Sequence, residues 1–210
     1  MNTFSTESNL YKIMTLVGEL IVLNLLFVLC CLPVFTIGAS VTSLYSVLLK
    51  LVNKKESYIR RDFLKAFKEN FKQSTLGWLI FLLIGIVFYM DLRISNHLDS
   101  SLGFILRTVF WIFIAMLGFL VSFFFPLQAK FKNTLKNTAK NAFWMSFGYL
   151  PLTISILVIE IFPIFLMYWK PEWEWKVIPF MLCIGFALQG LGCTCVFNQI
   201  FKKYIPEEEN

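Results

Sequence analysis

The chain has 210 residues, 58% of them hydrophobic and only 15% charged, with 24 phenylalanines and a mean hydropathy of +0.70. A water-soluble domain carries about 25% charged residues, and a soluble core of this size could not hide so many large apolar side chains. A soluble globular protein is therefore excluded, and one integral membrane domain over residues 1–210 is expected.

The net charge of +6 does not point to nucleic acid, because the basic residues sit in short connectors between apolar runs. That is the pattern of cytoplasmic loops facing anionic lipid. Cys30, Cys31, Cys183, Cys193 and Cys195 all fall inside apolar runs, where cysteine acts as a small apolar residue. Neither a disulfide framework nor a metal site is expected from them, since His97 is the only histidine.

Residues 1–12 are polar and read as a frayed end or a surface helix. Only Lys12 precedes the first apolar run, which exceeds the roughly 7–15 residues of a signal-peptide core, so this segment is expected to stay in the membrane. The run from Ile13 to Lys50 is too long for one span of about 20 residues. Pro33 lacks a backbone donor and Gly38 tolerates unusual backbone angles, so a bend over Leu32–Ser40 is predicted. It divides span one, Ile13–Leu32 with Glu19 and Asn24, from span two, Thr36–Val52. The alternative is a single kinked span that continues as a cytoplasmic helix, giving five spans.

Phe63, Phe67 and Phe71 recur at i, i+4, i+8 and share a helix face, with Lys65, Lys68, Glu69 and Lys72 opposite. This predicts a cytoplasmic amphipathic interfacial helix near residues 57–73. It either packs on the protein's own surface, docks onto a partner protein, or recognises lipid. Span three is Leu76–Met90, followed by a polar loop over 91–103 that carries Asp91, Arg93, His97 and Asp99. Span four is Phe104–Phe125, ending at Pro126. A connector with Lys130, Lys132, Lys136 and Lys140 leads to span five, Ala142–Met167, which Pro151 and Pro163 should kink. The loop holding Trp169, Trp173 and Trp175 resembles an aromatic belt. Span six is Val177–Phe201, followed by Lys202, Lys203 and a solvated Glu207-Glu208-Glu209 tail. The expected fold is an all-α polytopic bundle of about six membrane segments. Fifteen Lys and Arg residues then lie on one side and four (Arg93, Arg107, Lys170, Lys176) on the other, which puts both termini in the cytoplasm.

Four polar residues within or near the apolar runs are the site candidates: Glu160, Arg107, Gln189 and Glu19. A charge at the bilayer centre costs about 2.5–3.5 kcal/mol on insertion scales, so each needs a partner, a water-filled cavity or a shallow depth. Glu160 sits deepest, and either pairs with Arg107 or lines a polar cavity. Glu19 and Arg107 lie close enough to span ends to snorkel. Gly185, Gln189, Gly192 and Cys193 share one face of span six, which favours tight helix packing over a ligand site. The fingerprints of catalysis are missing: there is no GxxxxGK[ST] loop, no HExxH and no Cys–His pair. Neither an enzyme nor a cofactor is expected.

The segment LCCLPVFTIGASVTSLYSVLLKLVNKKESYIRRDFLKAFKENFKQSTLGWLI, with FPLQAKFKNTLKNTAKNAF further on, closely resembles the YesL family of bacterial integral membrane proteins. The resemblance runs from Gly18 to Tyr204. It implies a plasma-membrane protein, mostly of Gram-positive bacteria, often encoded near carbohydrate uptake transporters and their regulators, and it supplies no catalytic residues. One functional expectation is an accessory or regulatory component of carbohydrate uptake. Its partners would be the lipid bilayer and a carbohydrate ABC transporter or sensor component, docked through Phe63, Phe67 and Phe71. Another is a small solute transporter or channel using Glu160, Arg107 and Gln189, and a third is a membrane-organising protein without a ligand. The oligomeric state is left open.

Overall fold

The computed structural model describes residues 9–97 and 101–203. The expectations for residues 1–8, for Asp99 and for the Glu207–Glu209 tail lie outside the described residues. Those described form helices without a strand: α1 (Asn9–Cys31), α2 (Ile37–Val52), α3 (Ile59–Ser95), α4 (Ser101–Lys130), α5 (Leu135–Gly148), α6 (Leu150–Trp169), α7 (Glu174–Phe180) and α8 (Phe186–Phe201). A π-helical turn, Met181–Gly185, joins α7 to α8, so 171–201 is nearly continuous. Six helical stretches are long and apolar enough to cross a membrane, as the six-segment reading expects.

The bend falls where Pro33 places it. Proline disfavours helical geometry at the residue before it, and α1 ends at Cys31. The Thr36 hydroxyl bonds the carbonyls of Cys30 and Pro33, both at 2.6 Å, and the Trp78 indole donates to the carbonyl of Val34 at 2.9 Å. The chain then doubles back. Leu20, Leu23 and Phe27 of α1 pack on Leu44, Val47 and Leu48 of α2, and Glu19 shares a groove with Lys54 and Lys55 beyond the far end of α2. The single kinked span is therefore not formed. Gly38 serves the bend differently from expectation. Its backbone is ordinary helix, and its missing side chain lets α3 approach, since a Cβ there would collide with the Ser74 carbonyl and sit 2.7 Å from the Trp78 Cβ.

Two other expectations are corrected. The amphipathic stretch near 57–73 is not a separate interfacial helix but the first turns of α3, because nothing between Gln73 and Leu76 breaks a helix. At 37 residues, α3 is about 55 Å long, well beyond a hydrocarbon core of about 30 Å. Its charged first half lies along α2, tied by a Lys50–Asp62 ion pair at 3.0 Å and a Thr42–Ser74 hydroxyl bond at 2.9 Å. Span five begins at Leu150, not Ala142. Pro151 has no N–H to continue the preceding ladder, so α5 ends at Gly148 and Pro151 sits in the first turn of α6. Pro126, expected to end span four, lies buried inside α4, which runs on to Lys130.

The core is aromatic. Phe123, Phe124 and Phe125 of α4 pack with Phe81, Tyr45, Ile156, Phe197 and Phe201, and edge-to-face pairs such as Phe123–Phe197 (5.1 Å, 87°) lock the helices together. α2 is the enclosed element, walled by α1, α3, α4 and α8. By contrast α6 turns Ile154, Val158, Ile161, Phe162, Ile164 and Phe165 outward, a surface that suits lipid and not water.

Candidate functional site

The polar residues inside this apolar bundle gather where helical hydrogen-bond ladders are broken. Pro163 has no N–H, so the carbonyl of Ile159, four residues earlier in α6, loses its helical donor. Gln189 of α8 supplies one: its Nε2 donates to the carbonyls of Ile159 at 2.9 Å and of Glu160 at 2.8 Å. The side chain of Glu160 turns the other way and accepts from the Ser122 hydroxyl of α4 at 2.6 Å. Glu160 thus joins α4, α6 and α8 at one node.

A second node repairs the π-helical turn. Such a turn shifts the ladder by one residue and leaves backbone groups without regular partners. Asn24, fully buried in α1, fills the gap. Its Nδ2 donates to the carbonyls of Met181 (3.1 Å) and Leu182 (2.7 Å), while its Oδ1 accepts from the Ala187 amide at 2.9 Å. Both donors and the oxygen of one amide are thus engaged, in three bonds, by the backbone of a distant stretch of the chain. At the α5–α6 break Thr153 acts similarly, its hydroxyl bonding the carbonyl of Ser146 at 2.7 Å. In a bilayer such repairs are obligatory, since no water is present to satisfy a freed carbonyl.

The structure unites two of the four candidates and separates the others. Glu160 and Gln189 meet as described. Arg107 lies in the second turn of α4, fifteen residues from Ser122 and so roughly 22 Å away along the helix axis. No Arg107–Glu160 ion pair exists among the described residues, and the expected pairing is corrected. Glu19 lines shallow grooves with Lys54, Lys55, Arg60 and Arg61, at the basic edge of the molecule. The docking-helix reading is also revised. Phe63 is fully buried against α1 and α2 and cannot meet a partner, and Phe67 and Phe71 are half-buried. Lys65, Lys68 and Lys72 do face outward. On span six, the glycine that lets another helix come close is Gly190, where a Cβ would sit 2.9 Å from Leu48 of α2; a Cβ at Gly185 would meet Met181 of its own stretch, and one at Gly192 would have ordinary contact with Ile159 at 3.8 Å.

Asn24 is the residue whose importance the sequence understates, because its partners are more than 150 residues away. Gln189 could have been matched with Pro163, since a proline inside an apolar helix announces an unpaired carbonyl four residues back. Among the described residues no three His, Cys, Asp or Glu side chains gather as a metal ion needs, and the five cysteines are free thiols.

The fold and these nodes define an all-α polytopic membrane bundle whose interior polar groups tie helices together. A family model described as "Protein of unknown function, DUF624" matches residues 20–92, the second half of α1, the bend, α2 and most of α3. The chain is also similar to "Uncharacterized protein YteU" of Bacillus subtilis (strain 168), with 27% identity over 160 residues, 74% of this chain and 68% of that protein. No solved structure matches it.

Proposed function

We propose that the chain is a non-catalytic, multi-pass protein of the bacterial plasma membrane, with both termini cytoplasmic, acting as an accessory or regulatory component of carbohydrate uptake. One observation carries the accessory role over a transport role. The amides of Asn24 and Gln189 are spent on helix-to-helix repair and the Glu160 carboxyl is bonded to Ser122, which supports a structural role for these three over a polar path. The link to carbohydrate uptake is supported by the resemblance to YesL proteins, with which the match to a DUF624 model and the likeness to YteU are consistent. The partner would be a carbohydrate ABC transporter or sensor component. With Phe63 buried, contact falls to the outward lysine face of α3 (Lys65, Lys68, Lys72).

Purification from the native host in mild detergent tests this reading. Co-purification of a transporter or sensor component, lost when the three lysines become glutamates, is the expected result. Purification of the wild-type protein without one overturns it. The transporter reading keeps one observation in its favour, a carboxyl in the middle of α6 held by a single hydroxyl. Solute flux into liposomes that changes with Glu160→Gln would favour that alternative.

A further inference from the structure

A groove of about 430 Å³ runs between α1 and the start of α3, at the basic edge of the molecule. Gly18 and Val22 of α1 line one side, Tyr58, Ile59, Arg60 and Arg61 the other, and its surface is apolar. Gly18 opens it. A Cβ at that position would meet nothing within 4 Å, so the glycine does not serve the approach of another helix. Inside a helix glycine costs about 1 kcal/mol against alanine, and here the space it leaves faces outward. Arg60 and Arg61 are exposed, and among the described residues neither has an ion pair or a hydrogen-bonded partner. The neighbouring acid, Asp62, is held instead by Lys50 at 3.0 Å and Ser57 at 3.1 Å. Half-buried Glu19 lines this groove and an adjoining one that it shares with Lys12, Lys54, Lys55 and Glu56. Across the two grooves five cations face two carboxylates, so the local field is positive.

We infer that this groove holds an anionic phospholipid, with an acyl chain along Gly18 and Val22 and the phosphate at the guanidinium groups of Arg60 and Arg61. Val17, Ile21 and Leu25 are exposed on the same helix, so the groove opens on the lipid-facing surface and a chain enters it without crossing water. The arginine stems cover apolar surface while their charged heads stay at its edge. A planar guanidinium takes two phosphate oxygens at once, which a compact ammonium does not. A free anion would leave the apolar lining uncovered. Charge also favours a lipid over a second copy of the chain, because a symmetric pair would set one basic edge against another.

The test uses the full chain, delipidated in detergent, and reads lipid retention and oligomeric state by native mass spectrometry, with the unfolding temperature alongside. The probes are dioleoyl phosphatidylglycerol, dioleoyl phosphatidylcholine and free glycerol 3-phosphate. Phosphatidylglycerol is expected to be retained and stabilising, and phosphatidylcholine neither. Arg60→Gln combined with Arg61→Gln should weaken phosphatidylglycerol by about thirtyfold, roughly fivefold for each basic residue. Lys136→Gln combined with Lys140→Gln removes the same charge from α5, which packs on α4 and α6, and should leave binding within about twofold. Gly18→Phe fills the groove. It should leave the lipid-free unfolding temperature no lower and abolish phosphatidylglycerol retention. Equal retention of phosphatidylcholine overturns the proposal, as does a lysine pair that costs as much as the arginine pair, or a Gly18→Phe protein that still retains phosphatidylglycerol. Glycerol 3-phosphate that displaces the lipid overturns the acyl-chain assignment. A dimer that Gly18→Phe dissociates, with lipid retention unchanged, gives the groove to a second copy of the chain instead.

Discussion

A side-chain amide has more bonding capacity than a hydroxyl, and this protein uses amides where its backbone fails. Gln189→Leu should therefore lower unfolding stability in detergent by about 0.6–1.7 kcal/mol for each interhelical bond removed. Glu160→Gln, whose amide oxygen still accepts from Ser122, should change it by less than about 1 kcal/mol. A larger loss in the second variant than in the first would show that the carboxylate, and not the Gln189 clamp, holds α6. A further residue-scale feature closes α2. Lys54 adopts a left-handed conformation (φ 53°), with its amide bonded to the Leu51 carbonyl and that of Lys55 to Lys50, a Schellman ending usually given to glycine. Lys54→Gly should raise stability by about 1 kcal/mol, measured by thermal unfolding.

Among elements, α2 and the first half of α3 behave as one unit. The approach of α3 at Gly38 leaves no space for a methyl group, so Gly38→Ala should cost roughly 1–3 kcal/mol and loosen the bend. Faster proteolysis between residues 32 and 37 would register the loosening. Phe63→Ala should cost about 3–5 kcal/mol, the penalty of a large cavity, because its ring fills the space between α1 and α2. A true docking residue would lose partner binding and keep stability, so the two measurements together separate the roles.

At the scale of the whole molecule, charge asymmetry sets the expected orientation. In a cysteine-free background, Asn96→Cys should react with a membrane-impermeant maleimide on intact cells, and Lys55→Cys only after permeabilisation. The reverse pattern would invert the topology.

Apolar run lengths, Pro33 and the basic connectors determined the helical class, the number of segments and the fold-back, because each acts through neighbours in the chain. The face shared by Phe63, Phe67 and Phe71 was equally legible as a period. Whether that face met a partner or the chain's own core was decided only when α1 and α2 closed over it. The same holds for the site. Glu160 and Gln189 stood out as costly in an apolar setting, but Arg107 proved to lie along α4 far from them. Asn24 acquires meaning only from groups distant in sequence, the π-helical turn that it repairs. Hydrophobic periodicity is local and can be read directly, whereas the satisfaction of a polar group depends on which helices the packing brings beside it.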